Sequence, residues 1–221
     1  MLDLLQEDVG YVDLTTHGLN IGEFDGVMRF YARSDITICG LSQVVKILNS
    51  IGLDFHLRKK DGEKVLANEL ILDCYGSAEA IHKAWKISQN VLEYLSGIAT
   101  TTNKILTLAK EINPKIELAT TRKNFPGVKE LMVQAVFAGG GTVHRLGLYD
   151  SILVFKEHLE FVDDVKLSFK MLREKFLEKK ITVEVANLEE AKYFASIGAD
   201  ILQCEKMSFE ELTQCVELKN E

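Results

Sequence analysis

From Ile116 onward the sequence repeats one pattern, a short apolar run and then an amphipathic helical stretch, and this alternation admits few folds. Ile116–Thr120 reads as a strand, followed by a helix from Val128 to Ala138 with Val128, Leu131, Met132, Ala135 and Val136 on one side. Ile152–Phe155 is the next strand, and Val165, Phe169, Leu172 and Phe176 mark the helix behind it. Ile181–Val185 leads to a helix carrying Leu188, Ala191 and Phe194, and Asp200–Cys204 leads to a last helix carrying Phe209, Leu212 and Val216. Units of this kind build a parallel sheet with helices outside, either open or closed into a barrel.

Before residue 95 the rhythm differs. Strand-like segments at Val27–Ala32 and Glu69–Tyr75 flank a helix with Val44, Val45, Ile47, Leu48 and Ile51, closed by Gly52, which predicts a small α+β domain. A long helical stretch from about Ala78 to Glu111 follows, expected to break or bend near Ser96-Gly97 and to end at Pro114. The expectation is therefore a domain over 1–95 and a second over 96–221.

Length and charge bound the function. A chain of 221 residues has ample core for a stable fold, and its formal net charge of −7 argues against broad nucleic-acid binding while permitting a local basic pocket. Cys39, Cys74, Cys204 and Cys215 lie far apart in sequence without Cys-x-x-Cys spacing, so reduced, mostly buried thiols are expected. Met1-Leu2-Asp3-Leu4-Leu5-Gln6-Glu7-Asp8 lacks a basic n-region and a long apolar core, and no later apolar run is long enough to span a bilayer; a soluble cytoplasmic protein is expected.

The chemistry concentrates between Thr120 and His158. Thr120-Thr121-Arg122-Lys123, Pro126-Gly127, Gly139-Gly140-Gly141, His144-Arg145 and Lys156-Glu157-His158 place cations beside glycines, where backbone N–H groups can approach a phosphate. The strand ends are charged in every unit: Arg122 and Lys123, then Lys156 and His158, then Glu184, then Glu205 and Lys206. In a barrel these are the catalytic ends. Glu184 and Glu205 are expected at equivalent places in successive units, facing a common cavity opposite the cations. Such a set suits a phosphate-bearing substrate with a divalent metal such as Mg²⁺. Gly139–Gly141 can equally cap the preceding helix, Trp85 can fill an interface or stack on a ring, and His158 is expected to orient its loop. Lys59-Lys60, before Asp61-Gly62, reads as a solvated turn, and His17, His56 and His82 show no ligand spacing.

These residues carry a family resemblance. Ser96-Gly97-Ile98-Ala99-Thr100, Thr121-Arg122-Lys123, Pro126-Gly127, Gly139-Gly140-Gly141, His144-Arg145, Gly147-Leu148-Tyr149-Asp150, Glu184-Val185 and Gly198-Ala199-Asp200 resemble, in order, the quinolinate phosphoribosyltransferases, also called carboxylating nicotinate-nucleotide pyrophosphorylases. Ala84-Trp85-Lys86, Gln89–Glu93 and Val154-Phe155 are similar to the ModD-type branch, pyrophosphorylases associated with molybdenum transport. The resemblance implies an α/β fold, an N-terminal α/β sandwich followed by an incomplete (β/α) barrel, in a homodimer with a shared active site. It implies transfer of a phosphoribosyl group from phosphoribosyl pyrophosphate (PRPP), with Mg²⁺, to a nitrogen heterocycle. By the same resemblance Lys86, Arg122, Lys123, His144, Arg145 and Lys156 bind substrate, Gly139–Gly141 are phosphate-loop candidates, Lys123, Glu184 and Glu205 are catalytic, and Glu184 and Glu205 serve the metal through water.

Three departures qualify the pattern. Lys86 stands where the family clamps its acceptor with an Arg donated across the dimer, and an ammonium lacks the two-pronged grip of a guanidinium. Phe155 stands where the family has a Lys, and Lys156 would point the opposite way if strand geometry persisted. The family continues for roughly two or three further βα units beyond the equivalent of Glu221, an estimate from the size of such barrels, so a truncated barrel is expected. The competing expectation is a non-catalytic anion- or oxyanion-binding protein derived from the same fold.

Overall fold

The computed structural model describes residues 4–218; Met1–Asp3 and the chain end at Glu221 lie outside the described residues. The chain divides into two compact units, one running to His144 and one starting at Arg145, and each holds its own apolar core.

The first unit begins with two short helices, α1 (Leu4–Val9) and α2 (Leu14–Gly18), and continues through β1 (Asp25–Tyr31), β2 (Ile36–Thr37), α3 (Leu41–Ser50), β3 (Asp54–Leu57), β4 (Lys64–Val65) and β5 (Leu70–Ser77). The 35-residue helix α4 (Ala78–Ile112) follows, then β6 (Ala119–Thr120), α5 (Lys129–Ala138) and β7 (Thr142–Val143). Antiparallel pairing orders three strands β1-β5-β3, β2 pairs with β4, and β6 runs parallel to β7. Alternation along β1 turns Met28 and Phe30 inward, where they join Leu72 and Cys74 of β5, Val44, Ile47 and Leu48 of α3, and Ala84, Ile87, Val91 and Leu95 of α4.

The long helix is continuous through Ser96-Gly97, contrary to the break expected there. Tertiary contacts outweigh the local preference, since a helical Gly costs only about 1 kcal/mol relative to Ala. Buried Ser96 accepts the Cys39 N–H at 3.0 Å through its Oγ and donates to the Cys39 carbonyl at 3.2 Å, tying this turn to the segment before α3. The expected domain boundary at residues 95 and 96 lies inside this helix.

The second unit contains β8 (Ile152–Val154), α6 (Lys156–Leu159), α7 (Val165–Lys175), β9 (Ile181–Val185), α8 (Leu188–Ser196), β10 (Ile201–Cys204) and α9 (Phe209–Glu217). Its strands are parallel in the order β10-β9-β8. Central β9 is buried on both faces, as the middle strand of a parallel sheet must be, and Val183 and Val185 meet Phe169, Ala191 and Phe194. Phe169 and Phe194 pack with ring centroids 5.5 Å apart. Helix starts are set by side-chain caps: Asp164 accepts the Leu167 N–H, Asn187 the Glu190 N–H, and Ser208 and Glu211 form a reciprocal capping box. Asp200 accepts the Ile181 N–H and the Arg173 guanidinium, both at 2.6 Å, so it joins the start of β9 to α7. Burial pushes the Asp200 pKa up, but these two donors outweigh it and the net shift is downward.

Among the described residues no helix is long and apolar enough to cross a membrane.

Candidate active site

In the first unit, β6 ends at Thr120 and releases the chain into an exposed loop carrying Arg122 and Lys123. Local hydrogen bonds shape that loop: Thr121 Oγ1 accepts the Lys123 N–H at 3.3 Å, and the Arg122 carbonyl accepts the Asn124 N–H at 2.9 Å. Neighbouring β7 pairs Thr142 with Ala119 and Val143 with Thr120, and the next N–H, that of His144, reaches the Thr120 carbonyl at 3.1 Å. His144 is thus held beside the start of the Arg122-Lys123 loop by main-chain bonding. A cavity of about 690 Å³ opens between α4 and this strand end, with Tyr94, Thr101, Ile105, Leu118, Thr120 and Thr121 in its wall. The α4 residues of that wall are exposed members of a helix whose other face is core, and helical periodicity alone marks them only as a second face.

Packing alone requires two of the three phosphate-loop candidates to be glycine. A Cβ on Gly139 would stand 2.5 Å from the Ala99 carbonyl oxygen, and one on Gly141 would stand 2.8 Å from Thr102 Cγ2. Both glycines therefore let the end of α5 and the start of β7 lie against α4. Gly140 is exposed, with φ +85°, and turns the chain between them.

Lys86 lies on the exposed side of α4, where its Nζ donates to Gln89 Oε1 at 2.9 Å and stands 5.4 Å from the Trp85 ring centroid. Trp85 is half exposed.

In the second unit, Arg145 is buried, with its guanidinium carbon 5.4 Å from the Phe155 ring centroid. Strand alternation does not reach Lys156, because β8 ends at Val154. Phe155 caps α6, and Lys156 is its first, exposed residue. His158 Nδ1 accepts the Phe155 N–H at 3.0 Å and its ring stacks on Phe155, which gives it the loop-orienting role expected of it.

The two carboxylates are not at equivalent places. Parallel register sets Glu184 opposite Gln203, whose Nε2 donates to Glu184 Oε2 at 2.9 Å. Glu205 comes two residues later and extends the ladder through its N–H to the Val185 carbonyl at 2.9 Å. The half-exposed Glu205 lies 3.6 Å from Lys206 Nζ.

Cys204 and Cys215 come together: burial first, then the neighbouring Cys215, raises the Cys204 thiol, and Cys215 Sγ lies 3.8 Å from Met207 Sδ. All four cysteines are free thiols, and three are buried. Lys59 is not merely solvated, since its ammonium pairs with Glu69 at 2.9 Å and Glu63 at 3.4 Å. Among the described residues no group of three or more His, Cys, Asp or Glu side chains is placed to hold a metal ion.

The model of the quinolinate phosphoribosyl transferase N-terminal domain matches residues 13–96, and that of the C-terminal domain matches residues 98–221. A Rhodobacter capsulatus protein named as a pyrophosphorylase, ModD, is 37% identical over 218 residues, 98% of this chain and 84% of that relative. A Methanocaldococcus jannaschii protein named as a carboxylating nicotinate-nucleotide pyrophosphorylase is 34% identical, over 98% of this chain and 76% of its own length. The solved nicotinate-nucleotide pyrophosphorylase of Francisella tularensis superposes with a TM-score of 0.90 at 28% identity, covering 98% of this chain and 76% of that one.

Proposed function

The chain belongs to the quinolinate phosphoribosyl transferase family, and on that premise we propose that it transfers the phosphoribosyl group of PRPP to a ring nitrogen of a heterocyclic acid. The nitrogen lone pair forms the bond to C1 of the ribose, the C1–oxygen bond to pyrophosphate breaks, and pyrophosphate departs with the electron pair. The supporting observation is that in each unit parallel strands lead into charged residues near their C-terminal ends, the ends at which barrel enzymes act: β6 into Arg122 and Lys123 in the first unit, and β8, β9 and β10 into Lys156, Glu184 and Glu205 in the second.

Each residue then has a chemical task. Exposed Arg122 orients an acceptor carboxylate by a two-pronged hydrogen bond. Lys123, His144 and Lys156 neutralise charge that grows on the departing pyrophosphate, where fixed cations contribute most because they need not reorganise. Arg145, buried against Phe155, supplies a cation of fixed position. Glu184 and Glu205 accept from ribose hydroxyls or metal-bound water. Mg²⁺ fits this donor set as a partner of PRPP, because it is held by substrate phosphates and one or two carboxylates in preference to an all-protein cage. When bound it supplies charge neutralisation of the pyrophosphate. A homodimer, a cytoplasmic setting and a molybdenum link belong to the same proposal and rest on the resemblance to ModD-type and quinolinate enzymes.

The test is Mg²⁺-dependent pyrophosphate release from PRPP with quinolinate and a panel of related nitrogen heterocycles. Acceptor-dependent release is the expected result. No release with any acceptor, together with metal-independent oxyanion binding, would overturn the transferase reading in favour of an anion-binding protein.

A further inference from the structure

Three sulfur atoms meet at the end of β10 in the second unit. Cys204 is the last residue of that strand, Met207 lies in the turn that follows, and Cys215 comes from α9. The Cys215 thiol donates to Met207 Sδ at 3.8 Å, and the Cys204 and Cys215 side chains are close enough to share a hydrogen bond. Cys204 and Met207 both pack on the core that contains Cys215.

Two features separate this cluster from an incidental contact of sulfurs. Among the described residues of α9, Cys215 alone is buried, while Phe209, Leu212 and Val216 of the same helix are exposed. The helix thus meets its unit through a small thiol, although a larger apolar side chain would bury more surface. The turn that carries Met207 is also strained. Lys206, between the two sulfur residues, has φ +55°, a left-handed conformation that is unfavourable for any residue with a Cβ. Strain of this kind persists where the surroundings require one geometry, and it gathers at ligand sites.

We propose that Cys204, Met207 and Cys215 form a three-sulfur site for a single soft monovalent cation of the Cu(I) type. Three sulfurs about 2.3 Å from a common ion, arranged in a plane around it, stand about 4.0 Å apart, and the Cys215–Met207 separation is 3.8 Å. Thiolate and thioether together select Cu(I). Zinc instead takes four ligands from Cys, His and carboxylates, and the described residues provide no group of three such side chains. Each thiol gives its proton to water as its sulfur takes the ion. Partly exposed Cys204 provides the way in, and it keeps the charge of a two-thiolate complex near solvent. The site stands independently of the transferase reading.

The probe is Cu(I) added to the reduced chain without oxygen, in competition with a coloured Cu(I) chelator, with Zn²⁺ as the control. One ion per chain is expected, and X-ray absorption should show three sulfur neighbours at about 2.3 Å. Met207→Leu conserves side-chain volume and should bind about tenfold or more weakly. Cys204→Ser/Cys215→Ser should lose the site although Cys39 and Cys74 remain. Circular dichroism checks that each variant is folded; if the double variant is not, Met207→Leu decides alone. Absence of stoichiometric binding, unchanged affinity in Met207→Leu, a shell of two sulfurs or of nitrogen and oxygen, or displacement of Cu(I) by excess Zn²⁺ would each overturn the proposal.

Discussion

Arg58 holds Asp73 by two parallel hydrogen bonds, Nε to Oδ1 and Nη2 to Oδ2, both 3.1 Å, on the central strand of the first unit's sheet. The guanidinium is half exposed and the carboxylate is buried, so the pair is anchored at its acidic end. Hydrogen bonds from Arg58, then from Tyr75, outweigh burial and hold the Asp73 pKa at about 2, below its ordinary 3.8.

That depression fixes the direction of a pH effect. A carboxylate with a lowered folded-state pKa contributes its full stabilisation above the unfolded value and loses it as pH falls through the folded value. The native protein should therefore lose stability between about pH 4 and pH 2 partly through Asp73. Asp73→Asn should lower the thermal midpoint at neutral pH and flatten its dependence on pH in that window. An acid titration of the midpoint in both proteins checks this, and parallel curves would refute it.

Gly141→Ala should destabilise the chain by about 1–3 kcal/mol, the usual cost of an extra methyl in a packed interior. The added carbon would meet Thr102 Cγ2 at 2.8 Å and Val136 Cγ1 at 2.9 Å. Gly127→Ala is the control for backbone strain without a clash, since Gly127 has φ +88° and nothing near its missing Cβ. Urea midpoints compare the two, and a smaller loss at Gly141 than at Gly127 would show that α4 yields.

Lys123→Gln should leave the unfolding free energy within about 0.5 kcal/mol of the parent, because surface substitutions rarely do more. If Lys123 stabilises departing pyrophosphate, kcat should fall by about 10²-fold or more. Turnover equal to the parent would remove Lys123 from the catalytic set.

Lys86→Arg restores the two-pronged donor of the family pattern at an exposed helical position. KM for quinolinate should fall by about tenfold with little change in kcat, as for an interaction made equally in ground and transition states. An unchanged KM would place the acceptor away from this residue.

Cys39 should resist alkylation in the native protein. Burial first, then the Asp61 carboxylate, pushes its thiol up to about 12, and burial raises Cys74 and Cys204 as well. The thiolate is the reactive form, so native modification at neutral pH should be slow at these three sites and rapid after denaturation. Mass spectrometry of iodoacetamide-treated samples reads both states, and rapid native labelling of Cys39 would contradict its burial.

The alternation of apolar runs and helical stretches and the charged strand ends were legible because each is a local pattern that one helix or one strand satisfies by itself; the caps Asp164, Asn187 and Ser208 emerged only with the helix starts. Ile181–Val185 emerged as the strand read from its residues, and the motif order from Thr121 to Asp200 pointed to the family that the domain comparisons identify. Long-range pairing decided the rest. Continuity of α4 through Gly97 depends on Cys39, the opposition of Glu184 to Gln203 depends on register, and the Arg58–Asp73 pair depends on β3 and β5 lying side by side. Periodicity records which way a side chain faces, but a hydrogen bond or ion pair is allotted only when distant segments meet and compete for the same atoms.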